Sequence, residues 1–264
     1  MRDNLKFFLI NFIILISFLG VAGMKKNKNP EIIIVYDNNP FNEELKTEWG
    51  FSCLIRGFEK TILFDTGGSS ETLLSNMKKL EINPAEIEII FLSHAHGDHT
   101  GGLEGFLNIN NKVEVWVPET FSTKFKDKIK EKGAVLREVK GPQQIIENVY
   151  TTGVLGTWIK EQSLILKTGK GLIVITGCAH PGITSIVSKA KEVVKENVYL
   201  VLGGFHMAGF SKREIEKVIY DFKDLGVQKV APCHCSGRET IILFEKEYGE
   251  NFIKAGVGKV IEIK

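Results

Sequence analysis

The chain has 264 residues, of which 43% are hydrophobic and 25% charged, with 34 Lys+Arg set against 32 Asp+Glu and only four cysteines. This composition excludes a disordered chain and a small disulfide-stapled one, because a chain of this length buries enough apolar surface to fold without staples. The net charge of +2 offers no basic face for nucleic acid, and the lysines between positions 124 and 132 are interleaved with Asp127 and Glu131, as on a solvated helix.

The N-terminus differs in kind from the rest. Arg2 and Lys6 precede an apolar run over 7–21, broken only by Asn11 and Ser17, and Ala22 and Gly23 follow it. A positive start, an apolar middle and a small-residue exit form an export signal or an N-terminal membrane anchor. Residues 1–23 are therefore read as leader and 24–30 as linker. Residues 31–264 are read as one domain, expected outside the cytoplasm and meeting the membrane only through the leader.

Residues 31–36 read as a strand, and 51–56 with 61–64 as a hairpin turning at 57–60. Asp65-Thr66-Gly67-Gly68 ends that hairpin. Ser69 or Ser70 then caps a helix reaching Leu80, with Leu73, Leu74, Met77 and Leu80 at helical spacing. Asn83-Pro84 is a turn, and 87–92 is a buried strand leading into a histidine-rich segment. A strand is predicted at 113–117, a helix at 119–132, and strands at 134–139 and 145–151. A hairpin pairs 163–167 with 172–176. Helices at 183–195, 212–225 and 238–246 are separated by strands at 198–202 and 228–231, and 260–263 closes the chain as a strand. A strand meander followed by strand–helix alternation points to an α/β fold. Periodicity alone does not separate two packed sheets from one open sheet.

All six histidines, His94, His96, His99, His180, His206 and His234, follow the ends of apolar strands. Three fall in Ser93-His-Ala-His-Gly-Asp-His-Thr-Gly-Gly102. Neutral imidazole and carboxylate are good ligands for zinc and similar ions, and His94, His96, Asp98 and His99 supply four such groups within six residues. Gly97 is read as the residue that lets this turn fold tightly, so that Asp98 and His99 face a second ion. Two ions held about 3.5–4 Å apart can share a hydroxide that attacks near neutral pH.

Residues 93–102 resemble the signature of the metallo-β-lactamase superfamily, and Leu63-Phe-Asp-Thr-Gly67 resembles its upstream strand and turn. The resemblance spans nearly all of 31–264. It implies an αββα sandwich, two mixed sheets face to face with helices outside, and metals at one edge between the sheets. Trp49-Gly-Phe-Ser52, the segment 177–183, Gly203-Gly-Phe-His206 and Pro232-Cys-His-Cys-Ser-Gly237 are similar to one branch. That branch resembles 7,8-dihydropterin-6-yl-methyl-4-(β-D-ribofuranosyl)aminobenzene 5′-phosphate synthase, a dihydropteroate-synthase-like activity. Carried over by position, the resemblance implies His94, His96, Asp98, His99, His180 and His234 as metal ligands. It leaves His206 as ligand or substrate contact. The chain departs from the superfamily's common hydrolases in two places. Gly177-Cys178 stands where they supply a bridging aspartate, and Glu161-Gln162 where they commonly have Gly-His.

Asp65 reads as a support of the metal loop. Cys178, Cys233 and Cys235 read as packing around the site, with one of them as a soft metal ligand the lesser alternative, and Cys233 and Cys235 are too close in sequence to bridge each other without strain. Ser236 and Arg238, at the start of a helix, could bind an anionic substrate group; a plain cap at Ser236 with Arg238 in solvent is equally open. Trp49 and Phe205 are candidates for an aromatic pocket, with core packing the default.

The expected function is a metal-dependent hydrolase that uses metal-bound hydroxide on a small ester, phosphoester or amide. Its cofactor is expected to be two divalent ions, zinc by preference with manganese or iron open. Its expected partner is a small molecule, with an anionic one open, rather than nucleic acid. A C–N bond-forming transferase acting on a pterin and a non-enzymatic metal-binding module are the competing readings.

Overall fold

Alternate side chains of the first strand, β1 (Glu31–Asp37), belong to different cores. Ile32 and Ile34 face a second sheet, whereas Ile33 and Val35 face helices. That two-sided burial recurs along the chain and gives the layers. The computed structural model describes residues 29–264. The leader at 1–23 and most of the linker lie outside the described residues. Among the described residues no helix is long and apolar enough to cross a membrane.

In chain order, β1 is followed by β2 (Phe51–Arg56), β3 (Ile62–Phe64), α1 (Ser70–Lys79), β4 (Ile89–Phe91), α2 (Gly97–Thr100), α3 (Leu103–Ile109), β5 (Glu114–Pro118), α4 (Thr123–Glu131) and β6 (Val135–Val139). The second half contains β7 (Gln143–Ile146), β8 (Val149–Thr151), β9 (Leu164–Thr168), β10 (Gly171–Thr176), α5 (Ile183–Val194), β11 (Val198–Gly204), α6 (Lys212–Asp224), β12 (Lys229–Cys233), α7 (Arg238–Tyr248) and β13 (Val260–Glu262).

The strands form two mixed sheets, ordered β13-β1-β2-β3-β4-β5-β6 and β12-β11-β10-β9-β8-β7. One core fills the space between them, with Phe51, Phe64 and Phe91 opposite Leu164, Ile175 and Leu202. A second core packs α1, α3 and α4 on the first sheet through Leu73, Phe106 and Ile129. A third packs α5, α6 and α7 on the other sheet through Ile186, Phe222 and Phe244. This is the α/β sandwich expected, with helices outside both sheets.

Several boundaries differ from those read in the sequence. The strand read at 145–151 is a hairpin, because Asn148 adopts φ of 62° and reverses the chain between β7 and β8. The helix read from 119 begins at Thr123, since Ser122 accepts a hydrogen bond from the Phe125 N–H and caps it there. The strand read at 87–92 shortens to β4, because Ile87 still caps the 3-10 turn at Pro84–Glu86 that precedes it. Helices α2 and α3 had no counterpart in the sequence reading. The glycines at 101 and 102 obscured them, yet they are what brings these helices onto the turn at Asp65. A Cβ at Gly102 would lie 2.1 Å from the Thr66 carbonyl oxygen.

Phe205, Phe222 and Phe244 meet with ring centroids 5.5–5.7 Å apart in the third core. Phe205 is thus core rather than pocket lining. Phe244→Ala is expected to destabilise the fold by about 3–5 kcal/mol, the usual range for a buried Phe→Ala change. A chemical denaturation midpoint that did not move would contradict this packing.

Candidate metal centre

The topology decides which loops share an edge. Strands β3 and β4 run parallel, as do β10, β11 and β12. The loops leaving their C-terminal ends therefore emerge together, carrying Asp65, the 94–99 segment, His180, His206 and His234. β1 runs antiparallel to β2, which runs antiparallel to β3, so the end of β1 delivers Asn38 to the same edge. β9 is antiparallel to β10, and its start brings in Glu161.

Two ligand sets form there. His94, His96 and His180 present nitrogens within 4.8 Å of one another, and so do the donor atoms of Asp98, His99, Cys178 and His234. In the second set His99 Nε2 lies 3.6 Å from Asp98 Oδ2 and 3.3 Å from Cys178 Sγ, and His234 Nε2 lies 3.4 Å from Asp98 Oδ2. A tetrahedral ion with the usual metal–nitrogen and metal–sulfur lengths has edges of about 3.3–3.7 Å. The spacing fits such an ion. All six histidines converge, with His206 4.4 Å from His180 between ring centroids.

The imidazoles are aimed by partners on their far nitrogens. His180 Nδ1 meets Glu161 Oε2 at 2.9 Å, His234 Nδ1 meets Asn38 Oδ1 at 2.9 Å, and His99 Nδ1 meets Asp65 Oδ2 at 2.6 Å. His94 Nδ1 meets the Ser93 hydroxyl at 2.9 Å, and that hydroxyl in turn donates to Asp65 Oδ2 at 2.7 Å. With Nδ1 engaged as the donor to these oxygens, each Nε2 lone pair is left to the pocket, where that of His99 meets Cys178 Sγ. The Nε2 atoms of His94 and His234 are buried with no hydrogen-bond partner. A buried acceptor without a partner is costly, and a bound cation removes that cost. The donor set therefore fits divalent ions.

Backbone strain is concentrated at the same place. Asp65, Ala179, His206 and His234 all have positive φ, between 49° and 60°, a conformation that costs a non-glycine residue about 1–3 kcal/mol. Gly97 does not play the part assigned to it. Its φ is not positive and a Cβ there would meet nothing within 4 Å. It is simply the first residue of α2, and its bare surface lies at the site's mouth.

Glu161 is the residue that sequence reasoning missed. Its buried carboxylate accepts from the backbone N–H groups of Cys178, Ala179 and His180 at 2.9–3.0 Å, as well as pairing with the His180 ring. A carboxylate just ahead of an apolar strand was the available signal. Asn38 was missed as well. It clamps His234 at two points, its Nδ2 donating to the His234 carbonyl at 3.1 Å. Cys178, read as packing, stands inside the second ligand set.

Ser236 is neither helix cap nor anion contact. Its hydroxyl accepts from the Phe205 N–H at 3.0 Å and donates to the Cys233 carbonyl at 2.7 Å, while Gly237 occupies the cap position of α7. Arg238 is exposed and, with Trp49, Asn38, His234 and Ile241, lines a cavity of about 370 Å³ beside the second ligand set. The Trp49 and His234 ring centroids are 5.0 Å apart.

The electrostatics favour cations. Burial, and after it the neighbouring His99, pushes the His94 imidazole down to about 3; burial and His234 push His99 down to about 3. Burial pushes the Asp65 carboxyl up to about 8, so Asp65 and His99 share one proton. Against its burial, the adjoining His234 ring, 3.4 Å away, and the attraction of His99 hold the Asp98 carboxyl below the usual range. Against burial likewise, hydrogen bonds from His180 and the backbone hold Glu161 at about 2. At neutral pH His94 and His99 are thus neutral imidazoles, and Asp98 and Glu161 are carboxylates.

His94 is neutral in the fold but takes a proton near pH 6.5 when unfolded. The unfolded chain therefore binds more protons between about pH 3 and 6.5. His94 is therefore expected to cost the metal-free fold stability as the pH falls through that window, by up to about 1.4 kcal/mol per pH unit, while the raised carboxyl of Asp65 works in the opposite sense. Denaturant titrations of the chelated wild type and of His94→Gln across the window check it; the same pH slope in both proteins would contradict the buried neutral state of His94.

A family model described as the metallo-beta-lactamase superfamily matches residues 50–193. A protein of Methanocaldococcus jannaschii named 7,8-dihydropterin-6-methyl-4-(beta-D-ribofuranosyl)-aminobenzene-5′-phosphate synthase is 32% identical over 271 aligned residues, covering 84% of this chain and 92% of its own length. The crystal structure of Tm1679, described as a metal-dependent hydrolase of the beta-lactamase superfamily, superposes with a TM-score of 0.75 at 29% identity, over 89% of this chain and 99% of that one. YhfI from Bacillus subtilis, a metallo-beta-lactamase fold protein, shares the fold at a TM-score of 0.66 and 14% identity, over 89% of this chain and all of that one.

Proposed function

The chain belongs to the metallo-beta-lactamase superfamily, and from that premise we propose that it is a metal-dependent hydrolase of a small ester, phosphoester or amide. The observation that carries this reading is the pair of ligand sets, His94-His96-His180 and Asp98-His99-His234 with Cys178 beside them, each within 4.8 Å. Two divalent ions, zinc by preference, would supply Lewis-acid polarisation of the substrate and an activated water.

The chain's own residues then have separable tasks. The set of His94, His96 and His180 offers three donors and would leave a tetrahedral ion one position for water or substrate, whereas Asp98, His99, Cys178 and His234 offer four. Asp98, partly exposed within the second set, accepts from and orients the attacking water. Glu161 and Asp65 fix ring orientation and proton position on His180 and His99. Trp49, Arg238 and the adjacent cavity receive the rest of the substrate; Arg238 suits an anionic group.

The test is elemental analysis of protein purified without added metal, together with a panel of ester, phosphoester and amide substrates. At least two ions per chain and chelator-sensitive turnover are expected. Metal without turnover on any of the panel would remove the hydrolase reading.

One observation favours a second reading. The Methanocaldococcus jannaschii relative is named as a synthase of a pterin compound, so C–N bond formation onto a pterin competes with hydrolysis. Saturable pterin binding to the purified protein, combined with no hydrolysis, would select it.

A further inference from the structure

Cys178, His206 and Cys235 form a third group of donors, their ligand atoms all within 4.8 Å of one another. Neither Cys235 nor His206 has a task in the reading above. Both sulfurs are buried and both are free thiols. His206 is exposed, turns in at φ of 53°, and has its ring beside that of His180. Cys235 lies directly after His234, with its Sγ 3.6 Å from the Cys178 carbonyl oxygen.

The fold makes room for this sulfur. A Cβ at Gly204 would lie 2.6 Å from Cys235 Sγ and 3.2 Å from a His234 ring carbon. The end of β11 is therefore bare where the thiol sits. Simple packing does not require this arrangement, since an alanine at 235 with a side chain at 204 would fill the same space. Two thiols and one imidazole with one side open to solvent are the donor set of an open Cys2His site. Thiolates select soft cations over magnesium or calcium.

We propose that Cys178, His206 and Cys235 hold a thiophilic cation of their own, such as Zn2+ or Cu+, joined to the imidazole centre through the Cys178 sulfur. Binding releases the two thiol protons to solvent, and the Cys178 thiolate, whose sulfur lies 3.3 Å from His99 Nε2, would also be available to an ion held at His99. His206 closes the solvent side and leaves one position open.

Anaerobic titration with Cd2+ tests this, reading both the number of ions retained and the near-ultraviolet absorption of sulfur-to-cadmium bonds. The wild-type chain is expected to retain one more ion than Cys235→Ser, with the absorption falling by more than half in the variant. His206→Ala, a change at an exposed ring that spares the core, is expected to weaken the same ion by more than about tenfold, the lower range for losing even a supporting residue. Equal ion counts and equal absorption in wild type and Cys235→Ser would overturn the proposal. So would an absorption lost only in Cys178→Ser, which would assign the sulfur to the ion at His99 and His234 alone. His96→Ala keeps these readings apart: it removes an imidazole-held ion and leaves the sulfur absorption in place.

Discussion

His96→Ala is expected to purify as a folded protein that has lost both turnover and the ion held by His94, His96 and His180. The ring is exposed and belongs to none of the three cores, so its removal leaves the packing intact. What it removes is one donor of three. His94 and His180 then present two nitrogens to an ion that needs at least three protein ligands to leave one useful open position. Losing a supporting partner already costs about 10–100-fold in metal affinity or activity, so loss of a ligand is expected to exceed about 100-fold. Elemental analysis and turnover on the best substrate of the panel read the two effects together, and a circular dichroism spectrum like that of the wild type shows that the fold is retained. Undiminished turnover in this variant would end the metal mechanism.

The second large effect is expected at Glu161. Glu161→Gln keeps the volume but replaces one acceptor oxygen with a donor, and that donor would face a backbone N–H or the His180 Nδ1–H. Each buried group left unpaired costs about 1–3 kcal/mol. The loop holding Ala179 at φ of 60° depends on these bonds. The expected outcome is a loss of about 10–100-fold in metal affinity at the three-imidazole set, together with a lowered denaturation midpoint. A purely structural role would lower the midpoint while leaving the affinity of the surviving fold unchanged. Glu161→Asp, which keeps the charge but shortens the reach, is expected to recover part of the affinity. If metal affinity in Glu161→Gln matched the wild type, Glu161 would be a loop anchor and nothing more.

Much of the fold was legible because strands buried on both faces leave near-continuous apolar runs, as in 31–36 and 172–176, and amphipathic helices leave a stripe such as Leu73, Leu74 and Met77. Errors fell where backbone conformation overrides side-chain pattern. Asn148 reverses a run that looks continuous, and the paired glycines at 101 and 102 look like loop yet sit in tight helical packing.

The sequence by itself determined the chemistry available: six imidazoles and Asp98, each placed at a strand end where a loop can expose it. It also determined the layers, since hydrophobic burial is written locally in periodicity. Only the tertiary structure decided the partition of those ligands into sets, the recruitment of Cys178 and the reach of Glu161 and Asn38 to His180 and His234. It also turned the Ser236 hydroxyl away from the site. Those assignments depend on which strand ends share an edge and on contacts spanning as many as 196 positions of chain. A hydrogen bond or a coordination bond is set by angstrom-scale distance and angle, and no local pattern of residues records distances between remote segments.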